Sequence, residues 1–131
     1  MDATLERLVR DRADSRCEYC HLPQAGSRAP FEIDHIIARK HRGRTVAGNL
    51  ALSCVYCNAH KGPNLTGRDP ETGKITRLYH PRRYKWTYHF RFHGSRLIGR
   101  TAIGRTTIEV LRMNHPQLVA LRELLMAGGA F

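Results

Sequence analysis

The sequence predicts an α+β fold in which short strands and helices are close neighbours along the chain. Residues 31–34 and 49–52 have the character of two short strands, and residues 55–61 are expected to form a helix directly after them. Further along, aromatic side chains alternate with basic ones between positions 87 and 100, which indicates a hairpin with one apolar and one basic face. Strand, strand and helix followed by a hairpin indicate an α+β class rather than a helical bundle.

The remaining segments complete a single predicted domain of 131 residues. Residues 3–13 carry apolar side chains at helical spacing, whereas 63–74 are rich in turn residues and are expected to wrap the surface. The pattern Thr106-x-x-Glu109 resembles a capping box and predicts a helix that begins there and runs toward Met113. Pro116 is expected to open a last helix that ends at Gly128-Gly129.

The charge balance predicts a polyanionic partner. The net charge is +11, and arginine supplies 18 of the 22 basic residues. Arginine makes planar, bidentate contacts with phosphate, so this bias favours a nucleic acid over a merely solvated basic surface. A ribosomal-type RNA-binding protein would show the same balance.

Four cysteines form two pairs with the spacing of metal-binding knuckles. Cys17 and Cys20 are separated by two residues, as are Cys54 and Cys57, and 33 residues lie between the pairs. Four cysteines can form two disulfides, but reduced thiols at this spacing favour one tetrahedral zinc site. Because four thiolates leave no position for water, this zinc is predicted to be structural.

The sequence shows neither a secretory signal nor a membrane segment. Its first 12 residues are charged and lack an apolar core, and no run reaches the roughly 18 apolar residues that a membrane helix needs. We therefore expect a cytoplasmic protein with no membrane partner, in which thiols stay reduced.

Asp34 and His35 form the first candidate catalytic pair. A neutral imidazole can take a proton from water near neutral pH, and a carboxylate is a hard oxygen ligand for Mg2+. Neighbouring residues of a regular strand face opposite sides, so both can serve one site only if the strand ends here.

Two asparagines complete the candidate site. Asn58 directly follows Cys57 and on a helix would lie about 100° around from it, so its amide oxygen can face a second metal while the cysteine binds zinc. Asn49 precedes an apolar run, and its amide can brace the basic loop 36–48 and hold the imidazole of His35 in one orientation.

These residues together resemble the motif of the HNH endonuclease family. The matching elements are Asp34-His35-Ile36-Ile37 and Gly48-Asn49-Leu50-x-Leu52-x-Cys54-x-x-Cys57-Asn58-x-x-Lys61-Gly62. They place a motif core at residues 17–62, followed by a C-terminal extension at 63–131. Segments of the extension (PNLTG, HPRRYKW, IGRTT, LRMNHP) also resemble small free-standing bacterial HNH proteins.

The resemblance implies a ββα-metal fold and hydrolysis of DNA with one metal ion. It makes His35 the general base, Asp34 and Asn58 the ligands of a catalytic Mg2+ or Mn2+, and Asn49 the residue that orders the loop. The third family position is often histidine and is Asn58 here, which keeps an oxygen ligand. The expected products carry 5′-phosphate and 3′-hydroxyl ends.

Several further residues are candidates for contacts around this site. His60 is a possible additional metal ligand or phosphate contact, and His41 is more readily a phosphate contact or a solvated residue. The basic residues expected to bind phosphate as a group are Arg39, Arg42, Arg44 and Lys61.

Two classes of function fit these observations. The first is a metal-dependent DNA endonuclease, and the alternative is a zinc-stabilised module that binds nucleic acid, DNA or RNA, without catalysis. The set Asp34, His35 and Asn58 favours the enzyme, because a binding module needs no base beside two hard-metal ligands.

Overall fold

The computed structural model describes residues 1–131 and confirms the mixed α+β class. It contains three two-stranded antiparallel sheets and five α-helices. The strands are β1 (Glu32–His35), β2 (Leu50–Ser53), β3 (Thr66–Arg68), β4 (Ile75–Arg77), β5 (Phe90–His93) and β6 (Arg96–Gly99). The helices are α1 (Ala3–Arg12), α2 (Val55–Lys61), α3 (Trp86–His89), α4 (Ala102–Leu111) and α5 (Pro116–Ala127). None of these helices has the length and apolar character needed to cross a bilayer.

The motif core is the hairpin of β1 and β2 followed by α2. His35 pairs with Leu50 across the hairpin and is the last residue of β1, so the strand ends where the sequence required it to end. All four residues of β2 are buried, which anchors the hairpin in the interior. Both strands begin one residue later than predicted, while α2 has the predicted bounds.

Helix α1 is tied to this core by two arginines near its end. The guanidinium of Arg12 donates to the backbone oxygens of Ala47, at 2.7 Å, and Leu50, at 2.6 Å. Arg10 donates to the carbonyl oxygen of Phe31 at 3.0 Å. These bonds hold the N-terminal segment against both ends of the β1–β2 hairpin.

The extension contains a hairpin that the turn-rich composition of residues 63–74 did not predict. Strands β3 and β4 have only three residues each, too short for a recognisable alternation. The loop between them is organised by the buried carboxylate of Asp69, which receives two hydrogen bonds from Arg105 at 3.0 and 2.9 Å. These bonds hold the pKa of Asp69 well below its usual range.

Helix α4 begins earlier than the capping-box pattern predicted. Its N-cap is Thr101, whose hydroxyl accepts a hydrogen bond from the backbone N–H of Gly104 at 3.0 Å. Thr106 is instead fully buried in the middle of the helix. The prediction was wrong because the true N-cap, Thr101, is not followed by a glutamate three residues later and so shows no capping-box pattern. The pattern Thr106-x-x-Glu109 lies inside the helix and caps nothing.

The predicted C-terminal hairpin and last helix are both present, but the hairpin begins only at Phe90, because residues 86–89 form α3. β5 and β6 pair around a turn in which Gly94 has φ of +59°, a conformation that glycine adopts at little cost. Helix α5 begins at Pro116 and ends at Ala127, with Leu118 fully buried.

Trp86 is partly buried and packs against the hydrophobic core. Its ring stacks on His21 with centroids 3.8 Å apart, and its indole N–H donates to the carbonyl oxygen of Tyr19 at 2.8 Å. Tyr88, by contrast, leaves 68% of its surface exposed. The tryptophan thus attaches the extension to the first cysteine knuckle.

We expect Gly104→Ala to destabilise the protein by about 1–3 kcal/mol through overpacking. A β-carbon at Gly104 would lie 2.1 Å from the carbonyl oxygen of His89, so either α4 or the end of α3 must move. Gly128→Ala is the matched control, because its nearest neighbour would be an ordinary 3.6 Å away. Equal urea midpoints for the two variants would contradict this account of the α3–α4 contact.

Candidate functional site

The four cysteines converge on one buried point of the core. Their sulfurs all lie within 4.8 Å of one another, and all four residues are fully buried. The backbone N–H of Cys57 points at the sulfur of Cys54, which serves as the N-cap of α2. The spacing of the two knuckles therefore brings together residues that lie more than 30 positions apart in the sequence.

This cluster fits a tetrahedral zinc ion. A zinc–sulfur distance of about 2.3 Å separates neighbouring sulfurs of a tetrahedron by about 3.8 Å. The sulfurs of Cys20 and Cys54 are 3.7 Å apart. A bound zinc would join the N-terminal knuckle to the start of α2, and four thiolates would fill its coordination sphere.

Asp34, His35 and Asn58 line one open cleft. The cleft has a volume of about 220 Å³, and its wall also includes Arg39. Asp34 and His35 enter it from the end of β1, whereas Asn58 enters it from α2. Because Asn58 follows Cys57, one helix presents neighbouring side chains to the cysteine cluster and to this cleft.

The carboxylate of Asp34 is held tightly at the floor of the cleft. It is only 7% exposed, accepts a hydrogen bond from the Tyr19 hydroxyl at 2.7 Å and lies 3.1 Å from the ammonium of Lys61. Burial raises the pKa of Asp34, while the charge of Lys61 and the bond from Tyr19 act in the opposite direction. The carboxylate is therefore fixed in position before any ligand arrives.

His35 is half-buried and has one ring nitrogen engaged. Its Nε2 lies 2.8 Å from the hydroxyl of Thr45, a residue of the basic loop. The Asn49 amide does not touch the imidazole; the hydroxyl of Thr45 makes the contact with the ring.

Asn49 instead braces the loop that carries Thr45. Its amide oxygen accepts from the backbone N–H of Ile37 at 2.9 Å. Its amide nitrogen donates to the carbonyl oxygens of Ile37 and Arg44, at 3.0 and 2.9 Å. One buried side chain thus connects both ends of the loop, and it reaches His35 only through Thr45.

Lys61 is buried, whereas a lysine that binds phosphate has to be exposed. It is only 2% exposed, and its ammonium donates to Asp34 and to the carbonyl oxygens of His35 and Ile36. Burial of a lysine is costly unless its charge is paired, and Asp34 supplies the pair. The phosphate-binding interpretation of Lys61 is therefore replaced by an internal ion pair beneath the cleft.

His60 and His41 are not among the residues that line the cleft. The Nδ1 atom of His60 lies 2.9 Å from the backbone oxygen of Tyr56, one turn earlier in its own helix, and the side chain is exposed. The structure thus gives no support to His60 as an extra ligand. His41 is exposed in the basic loop.

Three exposed arginines lie on the basic loop that follows His35. Arg39 lines the cleft, and Arg42 and Arg44 follow on the same loop; none of the three forms an ion pair with an acidic residue. Unpaired guanidinium groups are free to contact phosphate.

Two contributors to the site were not found from the sequence. Tyr19 lies between two cysteines, where the knuckle spacing drew attention away from it, and Thr45 lies in a loop without regular pattern. Each acts across the fold, on Asp34 and His35 respectively. Only the position of Tyr19 inside a knuckle offered a signal, because zinc fixes such a residue near the core.

The fold and the two sites define a ββα hairpin–helix unit with a four-cysteine metal cluster. Residues 17–64 match the family model described as HNH endonuclease, which confirms the resemblance drawn from the motif. This segment of the chain is an HNH domain, and it indicates a nuclease or nucleic-acid-related function. Comparison with curated proteins and with solved structures finds no match.

We expect Cys20→Ser to lose the metal and much of the stability of the fold. Structural zinc contributes folding free energy directly, with apparent values of about 10–16 kcal/mol in zinc-finger peptides. Metal analysis should find about one zinc per wild-type chain, and thermal unfolding should show a large drop for the variant or for wild type with a strong chelator. An unchanged melting temperature in both would exclude a structural zinc.

Proposed function

We propose that the protein is a metal-dependent endonuclease that hydrolyses phosphodiester bonds of DNA. The observation that supports the proposal is the cleft shared by Asp34, His35 and Asn58, which is lined by a carboxylate, an imidazole and an amide. The HNH domain supports the nuclease class.

His35 acts as the general base in this proposal. Donation from Nε2–H to the Thr45 hydroxyl leaves the lone pair on Nδ1, which can then accept a proton from the attacking water. Asn49 holds the loop that carries Thr45, so it acts on the imidazole only indirectly, through Thr45.

Asp34 and Asn58 would hold the divalent ion, Mg2+ or Mn2+. A carboxylate and an amide oxygen are ligands that such hard cations accept, and the Asp34 carboxylate keeps lone-pair capacity beyond its bonds to Tyr19 and Lys61. When bound, the ion would neutralise charge on the phosphate and on the departing oxygen. Lys61 and Tyr19 hold the carboxylate in place for this ligation.

Arg39, Arg42 and Arg44 would position the phosphate backbone over the cleft. Such contacts carry no sequence information, so we propose that the exposed loop contributes affinity rather than specificity. The products expected of this family are 5′-phosphate and 3′-hydroxyl ends.

We also propose that residues 1–131 act as one domain. The ion pair of Arg82 with Glu18 and the bond from Trp86 to Tyr19 attach the extension to the first knuckle. Helix α4 packs against α2, so the extension supports the helix that carries Asn58.

A non-catalytic module would share the basic charge and the cysteine cluster. It would have no use for a half-buried histidine fixed beside a buried carboxylate and an amide in one open cleft. The arrangement of these three side chains therefore favours the enzyme.

We expect His35→Ala to reduce cleavage of supercoiled plasmid by about 10²–10⁴-fold, the usual contribution of a general base. The assay compares zinc-loaded wild type, with and without Mg2+, against this variant. His93→Ala is the control, because His93 is exposed in the distant β5–β6 hairpin and should leave cleavage unchanged. The folded state of each protein is checked by its thermal unfolding.

Cleavage that needs Mg2+ and disappears only in His35→Ala supports the proposal. Binding to plasmid without cleavage, across Mg2+, Mn2+ and Ni2+ and on RNA as well, would support the non-catalytic module. Equal cleavage by His35→Ala and wild type would overturn the assignment of the base.

A further inference from the structure

A second cleft is lined partly by residues that are sequence neighbours of those in the proposed catalytic cleft. It has a volume of about 310 Å³, and these neighbouring residues follow His35 and end α2. Ile36, Ile37 and Lys61 form its near wall, and the extension supplies the far wall. The proposed mechanism assigns no contact with DNA or metal to this space.

The walls of this cleft are apolar and aromatic. Leu65, Leu78, Tyr79 and Tyr84 contribute carbon surface, and Leu65 is 39% exposed at the opening. Ligand-binding clefts of this size are typically lined by such side chains, with a few polar groups that fix orientation. A flat apolar ring is the shape that aromatic walls accept best.

The edge of the cleft is cationic. Arg77 and Arg83 both line it, no acidic residue does, and neither arginine forms an ion pair. Arg77 is oriented by a 3.2 Å hydrogen bond to the hydroxyl of Tyr84. Burial lowers the pKa of His80 in the same wall, and the positive charges of Arg83, Lys61 and Arg77 add to that effect. An apolar cavity with an uncompensated positive edge suits a ligand that is a ring with a phosphate.

We infer that this cleft receives one unpaired nucleotide of the DNA strand next to the position of cleavage. The base lies against Tyr84 and Leu78, and the adjacent phosphate meets Arg77 and Arg83. This inference rests on the proposed nuclease function. It implies that the protein favours DNA with an unpaired nucleotide over a regular duplex, because extruding a paired base costs free energy.

The test measures binding separately from cleavage. His35→Ala protein is titrated with a short intact duplex and with the same duplex carrying one unpaired nucleotide. We expect about 5- to 100-fold tighter binding of the second, the range that stacking of one base on an aromatic side chain supplies. Leu65→Trp, added to His35→Ala, should fill the opening and bring this ratio close to one, while binding of the intact duplex stays unchanged.

Arg83→Ala should reduce the same ratio, and Arg91→Ala is the control, because Arg91 is exposed on β5 and does not line the cleft. Equal affinities for the two duplexes, or a ratio that survives Leu65→Trp, would overturn the inference. If wild type still cuts plasmid through His35, only the inference fails and the nuclease stands. Tighter binding of the same strand as RNA would also overturn the choice of DNA.

A separate observation concerns Arg122 of helix α5, which is completely buried. Its Nε donates to the backbone oxygen of Ser95 at 2.9 Å, and one Nη donates to the amide oxygen of Asn114 at 3.2 Å. The other Nη is buried without any hydrogen-bond partner, and no carboxylate pairs with the charge. A buried guanidinium in this state needs a source of negative charge.

The packing of Arg122 brings it toward the first cysteine knuckle. Its guanidinium carbon lies 6.0 Å from the ring centre of Phe92, and that ring lies 6.5 Å from the ring of His21, the residue after Cys20. Burial lowers the pKa of Arg122, and the negative charges of Cys20, Cys57 and Cys54 act in the opposite direction. Helix α5 also lies against the first knuckle loop, where a β-carbon on Gly26 would approach Leu125 to 2.8 Å. Four thiolates around one zinc ion leave a net charge of −2 for a neighbouring cation to offset.

We propose that Arg122 is a positioning residue that offsets the negative charge of the zinc–thiolate cluster from the C-terminal helix. The group with spare hydrogen-bonding capacity is its unpartnered Nη. The consequence is that the end of the chain contributes to metal affinity although it supplies no ligand.

The test replaces Arg122 by Met, which keeps much of the volume, and by Lys, which keeps the charge. Zinc affinity is measured by competition with a chelator, and thiolate ligation by the absorption of the cobalt-loaded protein. We expect Arg122→Met to bind zinc about 10- to 100-fold more weakly, as outer-shell changes typically do. Cobalt binding by this variant should also need a higher pH, because the thiolates lose a stabilising cation. Arg122→Lys should recover part of both losses.

The control is Arg91→Met, which removes an exposed arginine side chain of β5. The proposal would be overturned if Arg122→Met bound zinc with wild-type affinity and bound cobalt with the wild-type pH midpoint. If that variant does not fold, Arg122→Lys decides: metal binding near wild type supports the role of charge, whereas binding as weak as in an unfolded chain overturns it.

Discussion

The four buried thiols are the constraint on which the rest of the site depends. They join a knuckle before the hairpin to the first turn of α2, and the chain between them has to form β1, the basic loop and β2. Cys57 and Asn58 are neighbours on α2, so fixing one side chain on the cluster fixes the direction of the other into the cleft. A zinc ion bound to these four sulfurs would have no catalytic step of its own, yet it would set the geometry of the proposed catalytic site.

A second set of buried polar contacts carries this order to the carboxylate. Tyr19 lies inside the first knuckle and donates to Asp34, and Lys61 at the end of α2 pairs with the same group. Desolvation of a carboxylate and an ammonium is costly, and here each charge has the other as its partner. This ion pair keeps the Asp34 carboxylate in a fixed position at the floor of the open cleft, so that a ligand does not have to order a mobile side chain.

Sequence patterns predicted the parts of this molecule that depend on local spacing. The two knuckles, the helix at 55–61 and the last helix follow from residues a few positions apart, and all three are present. The β3–β4 hairpin and the start of α4 escaped prediction, because three-residue strands lack periodicity and Thr101 has no capping partner. The burial of Lys61 and the contact of Thr45 with His35 depend on chain segments that meet only in the folded state, so no local pattern contained them.

The extension is therefore better understood as part of the site than as an appendage to it. It supplies Trp86 and Arg82 to the first knuckle and α4 to the back of α2, and it forms the far wall of the second cleft. An interior charge such as Arg122 would be hard to retain in a segment that only covered the surface, since an apolar residue would fill the same space at lower cost. The proposed role of Arg122, which holds α5 to Ser95 and Asn114, implies that metal binding and the docking of the C-terminal helix stabilise each other.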